Sequence, residues 1–207
     1  MTEFWEEAFR DKQEMWGATP ANAAVVAAEM FAAKGLKKIL IPGVGYGRNA
    51  QAFLSKGMEV TGIEISKTAI DLAGKYYGKS LKIHHGSASD MPFDHNHYDG
   101  VFCHALIHLL DEEKRAKLLQ DCYNQLADGG YMVFTTISKK APTYGQGTFI
   151  SKDRFEQFGG VKIFFYDEQS IQQEFGKYGL IRVDEIVEQY PFYSIQCSSD
   201  RSPLSSG

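Results

Sequence analysis

The chain has 207 residues, 43% of them hydrophobic, which suits one domain with a full buried core. Its net charge of −4 provides no broad positive field, so we expect no nucleic-acid partner and favour a small molecule. Three cysteines form no even disulfide framework, and no apolar run is long enough to span a membrane or follows a basic leader, so we expect no membrane association and a reducing, cytoplasmic setting.

The first predicted element is a helical N-terminal arm that contains both tryptophans of the chain. Trp5, Phe9 and Trp16 recur close to helical spacing among other aromatic and apolar residues. From these residues, the arm is a helix that buries an aromatic stripe on the domain.

Strands and helices then alternate along the chain, which is typical of a doubly wound sheet. The predicted strands occupy residues 38–41, 59–65, 81–84, 100–104, 131–136, 180–187 and 192–197. The predicted helices occupy residues 49–56, 67–76, 112–127 and 167–178. A short link joins the last two strands, so we expect them to pair as a hairpin. The predicted fold class is α/β, with a doubly wound, Rossmann-like, seven-stranded, mostly parallel sheet and an antiparallel last strand.

The first strand runs into a glycine-rich turn, KILIPGVGYGRNA, and then into an amphipathic helix. Such a turn presents backbone N–H groups and lets a ligand approach the backbone closely. The glycines stand at positions 43, 45 and 47, whereas a dinucleotide fingerprint that starts at Gly43 needs a glycine where the chain has Arg48. The second strand carries Glu64 near its end, and a carboxylate can accept hydrogen bonds from both ribose hydroxyls. This unit predicts a nucleoside-cofactor site.

Ligands of open α/β sheets bind outside the carboxyl ends of the strands. The ends of the first two strands therefore nominate cofactor-binding residues, namely Gly43, Val44, Gly45, Gly47, Arg48, Asn49, Glu64, Ile65 and Ser66. Ser66 also suits the N-cap of the following helix.

Five segments of the chain resemble the class I S-adenosylmethionine (SAM)-dependent methyltransferases in sequence and in order: KILIPGVGYG, VTGIEIS, GSASDMPF, YDGVFCHALIHLL and LADGGYMVF. The resemblance covers about residues 35–198. Within that class the chain is most similar to the thiopurine/thiol and tellurite-resistance-type small-molecule methyltransferases. We expect a single domain over residues 1–198 with a helical lid over residues 1–34, followed by a mobile tail over residues 199–207.

The resemblance implies that SAM is the cofactor and S-adenosylhomocysteine (SAH) the product. It implies in-line transfer of a methyl group to an S, Te, N or O nucleophile of a small-molecule acceptor. It places the adenine beside Ser87 and Ala88, and the methionyl portion near Cys103 and His104 at the end of the fourth strand. In the thiopurine-type family a comparable arm folds over the pocket, so a second interpretation of the N-terminal arm stays open beside the buried helix. In it, Trp5, Phe9 and Trp16 form a lid wall over the cofactor, with aromatic faces near its sulfonium cation.

His104 is the predicted catalytic residue, because an imidazole can accept a proton from the acceptor or donate a hydrogen bond to it. His108 lies four residues on, but no HExxH pattern and no third ligand accompany the pair, so we predict no metal. Cys103 suits a small packed residue better than a nucleophile, since methyl transfer needs no covalent intermediate. The predicted substrate contacts are Phe9, His108, Tyr144 and Arg154. The last two lie in a segment over residues 138–160, where an exposed-loop interpretation stays open.

One position departs from the resemblance. Most class I enzymes place an acid two residues before the first glycine, where it helps to hold the cofactor's amino acid portion, and this chain has Ile41 there. Another residue must then neutralise the cofactor's ammonium group. For the cofactor's carboxylate group, our candidate is Arg48.

Two alternative functions stay open, an NAD-dependent oxidoreductase and a non-catalytic SAM-binding protein. An oxidoreductase would explain the glycine turn and Glu64. Its dinucleotide fingerprint, however, predicts a glycine at position 48, where the chain has Arg48. We expect a monomer or a weak homodimer.

Overall fold

The computed structural model describes residues 2–12 and 17–199. Its helices are α1 (Thr2–Lys12), α2 (Asn22–Ala33), α3 (Ala50–Leu54), α4 (Lys67–Tyr77), α5 (Glu112–Asn124) and α6 (Glu168–Phe175). Its strands are β1 (Lys38–Pro42), β2 (Glu59–Glu64), β3 (Leu81–His85), β4 (Tyr98–His104), β5 (Leu126–Ile137), β6 (Thr148–Ser151), β7 (Arg154–Gln157), β8 (Val161–Phe164), β9 (Leu180–Val187) and β10 (Pro191–Ser198).

Seven strands form the central sheet in the order β3-β2-β1-β4-β5-β10-β9. The first five strands in this order pair in parallel, and β10 pairs antiparallel with both β5 and β9. The predicted seven-stranded, mostly parallel sheet with an antiparallel last strand is confirmed.

Helices cover the sheet on both faces, as right-handed crossovers between parallel strands require. One apolar cluster packs α2, α3 and α4 against the sheet, and a second packs α5 and α6 against it. Strand β1 is therefore buried along all but its first residue, which explains why it is a continuous apolar run. In the described part of the chain, no helix is long and apolar enough to cross a membrane.

The segment over residues 138–160 contains two strands, β6 and β7, which the prediction did not include and which form a small sheet with β8. Strands β6, β7 and β8 pair antiparallel in that order. All four residues of β6 are exposed, so the segment lacks the alternation of apolar and polar residues that indicates a half-buried strand.

Two predicted boundaries are also wrong. The helix predicted over residues 112–127 ends at Asn124, because the chain enters the long strand β5 at Leu126. The predicted mobile tail begins at residue 199, but Ser199 is buried, and its hydroxyl oxygen accepts a hydrogen bond from the Gly130 N–H at 3.0 Å. Residues 200–207 of the predicted tail lie outside the described residues.

Candidate active site

A cavity of about 1030 Å³ lies at the carboxyl ends of the parallel strands. Its walls come from the segments that follow β1, β2, β3 and β4, from α1, and from the turn between β9 and β10. It is lined by most of the predicted site residues, namely Trp5, Phe9, Gly43, Val44, Gly45, Arg48, Asn49, Glu64, Ile65, Ser87, Ala88 and His104.

Glu64 is a buried carboxylate that holds the glycine turn in place. Its Oε2 accepts a hydrogen bond from the Gly45 N–H at 2.8 Å, and its Oε1 accepts from the N–H groups of Ile65 and Ser66 at 2.9 and 2.8 Å. Burial raises the pKa of the Glu64 carboxyl above its ordinary value, and the three backbone donors oppose that rise. The carboxylate is thus oriented within the cavity before any ligand binds.

The glycine turn directs much of its hydrogen bonding inward, contrary to the expectation that it presents these donors to a ligand. The N–H groups of Gly43 and Val44 both donate to the Ile63 carbonyl, at 2.9 and 3.1 Å. The Gly45 N–H donates to Glu64, and the Gly47 N–H to the Val44 carbonyl at 3.1 Å. Because these four donors are occupied, the turn does not offer them to a pyrophosphate, which a dinucleotide site would need.

Three predicted cofactor contacts do not line the cavity and have packing roles. A side chain at Gly47, which has a φ of +87°, would place its Cβ 2.5 Å from the Tyr77 ring. The Ser66 hydroxyl caps α4 by accepting from the Ala69 N–H at 3.1 Å. Cys103 is fully buried in the core, and burial raises the pKa of its thiol, so it is an inert packed residue.

Helix α1 packs against the glycine turn and also forms a wall of the cavity. The Phe9 ring is buried and meets the Tyr46 ring edge-on, with 6.1 Å between the ring centroids. The Glu6 carboxylate accepts hydrogen bonds from the hydroxyls of Ser66 and Thr68 at 2.6 and 2.5 Å. The two interpretations of the arm are therefore compatible over residues 2–12, whereas Trp16 lies outside the described residues.

A short turn that follows β3 lines the next part of the cavity. Ser87 caps the 3₁₀ helix Ala88–Asp90 by accepting from the Ser89 N–H at 3.3 Å. Asp90, the last residue of this 3₁₀ helix, is exposed and lines the cavity.

His104 ends β4 in an aromatic environment at the cavity wall. Its ring lies between those of Phe102 and Phe192, with centroids at 6.0 and 6.5 Å, and its Nδ1 lies 2.8 Å from Thr135 Oγ1. Burial and, to a smaller extent, the nearby charge of Arg48 lower the pKa of His104 to about 4. The next residue, Ala105, has a φ of +53°, a backbone conformation that is uncommon outside glycine and often found at functional sites.

The three substrate contacts predicted beyond Phe9 do not line the cavity. His108 is buried, and its Nδ1 accepts a hydrogen bond from the Ile137 N–H at 3.4 Å. Tyr144 donates from its hydroxyl to Asp153 Oδ1 at 2.7 Å, and Arg154 lies in β7. Tyr144 lies in a turn before β6 and Arg154 lies in the small sheet itself, so neither contributes to the cavity lining. The substrate roles of all three residues stay predictions. No group of three potential metal ligands occurs in the residues that the structure describes.

Residues that the sequence did not nominate also line the cavity, among them Tyr46, Leu106, Leu109, Leu110, Lys114, Glu188, Gln189, Tyr190 and Phe192. The position of the last four follows from the sheet topology. Because β9 and β10 form a hairpin beside β5, the turn between them falls at the carboxyl edge of the parallel strands. The short link between the last two predicted strands was the signal that could have found them.

Comparison with known proteins finds similarity over part of the chain. Residues 40–134 match the family model described as a methyltransferase domain. The chain is 30% identical to a ubiquinone biosynthesis O-methyltransferase of Thiobacillus denitrificans over 112 residues, which are 52% of this chain and 47% of the relative. It is 25% identical to thiocyanate methyltransferase 1 of Brassica oleracea over 133 residues, which are 62% of this chain and 59% of that protein.

Among solved structures, the fold is similar to that of the 1,6-didemethyltoxoflavin-N1-methyltransferase of Burkholderia thailandensis, determined with 1,6-didemethyltoxoflavin and SAH bound. The TM-score is 0.74 at 14% identity, over 95% of this chain and 86% of that one. The chain spans about half the length of the curated relatives it matches, as the 47% coverage of the first illustrates.

Proposed function

Because the chain contains a methyltransferase domain on the class I methyltransferase fold, we propose that it transfers a methyl group from SAM to a small-molecule acceptor. The observation that carries the proposal is the Glu64 carboxylate, buried at the end of β2 and bonded to the glycine turn, in a cavity that also contains His104. A single ligand that fills this cavity can therefore contact the ends of β1, β2, β3 and β4.

In the proposed complex, Glu64 accepts hydrogen bonds from the ribose hydroxyls. The adenine lies beside Ser87 and Ala88, and the methionyl portion passes over Gly43 and Gly45 toward His104. Trp5, which lines the cavity from α1, supplies an aromatic face near the sulfonium. The inward hydrogen bonding of the glycine turn supports this cofactor over NAD, which would need donors for a pyrophosphate.

The acceptor occupies the apolar half of the cavity in this proposal. Ala105, Leu109 and Phe192 line that half, and the charged residue Lys114 also contributes to the cavity wall. Such a lining suits a small acceptor with an apolar body. The nucleophilic atom stays open between S, Te, N and O.

Catalysis then consists mainly of alignment and exclusion of water. Holding two reactants in attack geometry can lower a barrier by roughly 7 to 11 kcal/mol. His104, with a pKa near 4, is neutral and only weakly basic at neutral pH, so its proposed part is to hydrogen-bond the acceptor. An acceptor that arrives as an anion needs no base from the protein.

The test is incubation of the protein with methyl-labelled SAM and a panel of thiols, thiopurines, tellurite, halides and small amines. We expect labelled product and SAH with at least one acceptor. Calorimetry with SAH and NADH, run in parallel, should give heat for SAH alone. Binding of NADH in place of SAH contradicts the proposal, and SAH binding without turnover of any acceptor favours the non-catalytic alternative.

A further inference from the structure

The cavity contains few carboxylates that can face the cofactor's ammonium group. Position 41, where most class I enzymes have an acid, is an isoleucine buried in the apolar cluster around α2 and α3. In the described part of the chain, the acidic residues that line the cavity are Glu64, Asp90 and Glu188. Glu64 is already bonded to three backbone donors, and Asp90 follows β3 at the proposed adenine end.

We propose that Glu188 binds the ammonium group of the cofactor's amino acid portion, in place of the missing acid at position 41. This inference rests on the proposed function, because it takes SAM or SAH as the ligand of the cavity. It assigns a cofactor contact to the turn between β9 and β10, which is distant in sequence from the glycine turn.

Glu188 has one carboxylate oxygen engaged and one available. Its Oε1 accepts a hydrogen bond from the Ala23 N–H at 3.1 Å, in the first turn of α2. Its Oε2 has no hydrogen-bond donor within residues 2–12 and 17–199. Helix α2 has no side-chain cap of its own at Ala21, and the positive end of its dipole favours a negatively charged carboxylate at this place.

The same end of α2 places Glu188 close to the glycine turn. Asn49, which follows that turn, accepts a hydrogen bond through its Oδ1 from the Ala21 N–H at 2.9 Å. The Ala21 and Ala23 N–H groups lie within one helical turn, ~5.4 Å along the axis. Glu188 and Asn49 therefore contact the same helix end, and both line the cavity in which the methionyl portion is proposed to pass over the glycines.

A cation that can face the carboxylate of the ligand also lines the cavity. Arg48 lines the cavity, and its charge contributes to the lowered pKa of His104, which places the guanidinium within electrostatic range of the end of β4. An amino acid zwitterion would then have Glu188 for its ammonium and Arg48 for its carboxylate.

Calorimetry with two ligands tests this assignment. SAH carries the ammonium, whereas 5′-methylthioadenosine keeps the adenosyl group and lacks the amino acid portion. We expect Glu188→Gln to weaken SAH binding about 10-fold or more, because a hydrogen bond to a charged group is lost, and to leave 5′-methylthioadenosine binding unchanged. The matched control is Glu185→Gln, at an exposed residue of the same hairpin that pairs with Lys140, and it should bind both ligands as the wild type does.

The outcomes separate this inference from the proposed function. Unchanged SAH affinity in Glu188→Gln overturns the inference, and so does an equal loss for both ligands, which would indicate a general effect on the fold. Absence of SAH binding by the wild type overturns the proposed function itself. Should Glu188→Gln fail to fold, the wild type is titrated with deaminated SAH, and affinity equal to that of SAH overturns the inference.

Discussion

At the scale of single residues, Glu64 has two roles that depend on one carboxylate. Its Oε2 holds the Gly45 N–H, and its Oε1 holds the chain where it leaves β2 for α4. The whole Glu64 residue is only 6% exposed and lines the cavity, so a ligand group reaches its carboxylate from inside the cavity. The same side chain thus shapes the glycine turn and presents an acceptor to the proposed ribose.

Glu64→Gln should weaken SAH binding by about 10- to 100-fold. The amide has one acceptor oxygen in place of two charged ones, and hydrogen bonds to a charged group contribute about 1.5 to 3 kcal/mol each. Isothermal calorimetry measures the effect. Glu59→Gln, at the exposed start of the same strand, is the control and should bind as the wild type does. Wild-type affinity in Glu64→Gln would remove the ribose assignment.

His108 makes the stability of the protein depend on pH. Burial lowers its pKa to about 3, whereas the unfolded state protonates near 6.5. The unfolded chain therefore binds more protons between these values, and the free energy of unfolding falls as pH drops below 6.5. His104, with a pKa near 4, acts in the same direction.

Between pH 7.5 and pH 5.0, we expect the free energy of unfolding to fall by about 2 kcal/mol less in His108→Asn than in the wild type, because asparagine does not titrate. Asparagine also keeps an acceptor for the Ile137 N–H. Urea unfolding at the two pH values measures the difference. His97→Asn, at an exposed histidine, should behave as the wild type does. An equal loss in His108→Asn and the wild type would mean that His108 is not the titrating group.

At the scale of elements, α1 is joined to α4 by one carboxylate. The hydrogen bonds from Ser66 and then Thr68 lower the pKa of Glu6 to about 2, so its contribution to stability is present above pH 4.5 and is lost as pH falls toward 2. Ser66 also donates its backbone N–H to Glu64. The helix that carries Trp5 and Phe9 is therefore attached directly beside the proposed ribose site.

Glu6→Gln should loosen α1 from the cavity without unfolding the central sheet. In a Trp16→Phe background, Trp5 is the remaining tryptophan of the chain, so its quenching by acrylamide reports on α1 alone. We expect stronger quenching in Glu6→Gln than in the parent, and protection when SAH is added to the parent. Glu7→Gln changes an exposed neighbour and should match the parent, whereas equal quenching in Glu6→Gln would show that Glu6 does not hold the helix.

At the scale of the whole molecule, a buried ion pair joins α5 to α6 on the face of the sheet opposite α2, α3 and α4. The Arg115 Nε and Nη2 donate to Glu174 Oε1 at 3.0 and 2.9 Å, and the Tyr166 hydroxyl donates to Glu174 Oε2 at 2.7 Å. The Arg115 side chain is 5% exposed, and it also donates to the Leu110 carbonyl at the cavity wall. This network supports the cavity from outside the proposed cofactor contacts.

Glu174→Gln should destabilise the protein by about 3 kcal/mol, because it leaves the buried Arg115 guanidinium without a counter-charge. We place the effect at the lower end of the range for buried pairs, since the Glu174 side chain is 22% exposed. Urea unfolding at pH 7 is the measurement, with Glu29→Gln at an exposed position of α2 as the control. A loss below ~1 kcal/mol would mean that Arg115 finds another partner or solvent.

The amino acid sequence alone predicts the central sheet and the part of the site that the glycine turn and Glu64 form. The β1 segment is apolar throughout because a parallel strand is buried on both faces, and the glycine turn and Glu64 follow it at spacings set by local chain geometry. Such features depend on neighbours in sequence, so a pattern can reveal them.

Only the fold brings the turn between β9 and β10 to the cavity, and only the fold sets which individual side chains line it. Glu188 reaches α2 across 165 residues of chain, and no local pattern encodes that contact. His104 and His108 share a residue type and a short spacing, yet the structure places one at the cavity and buries the other beneath β5. Burial and long-range contacts depend on how elements pack, and packing is a property of the folded chain as a whole.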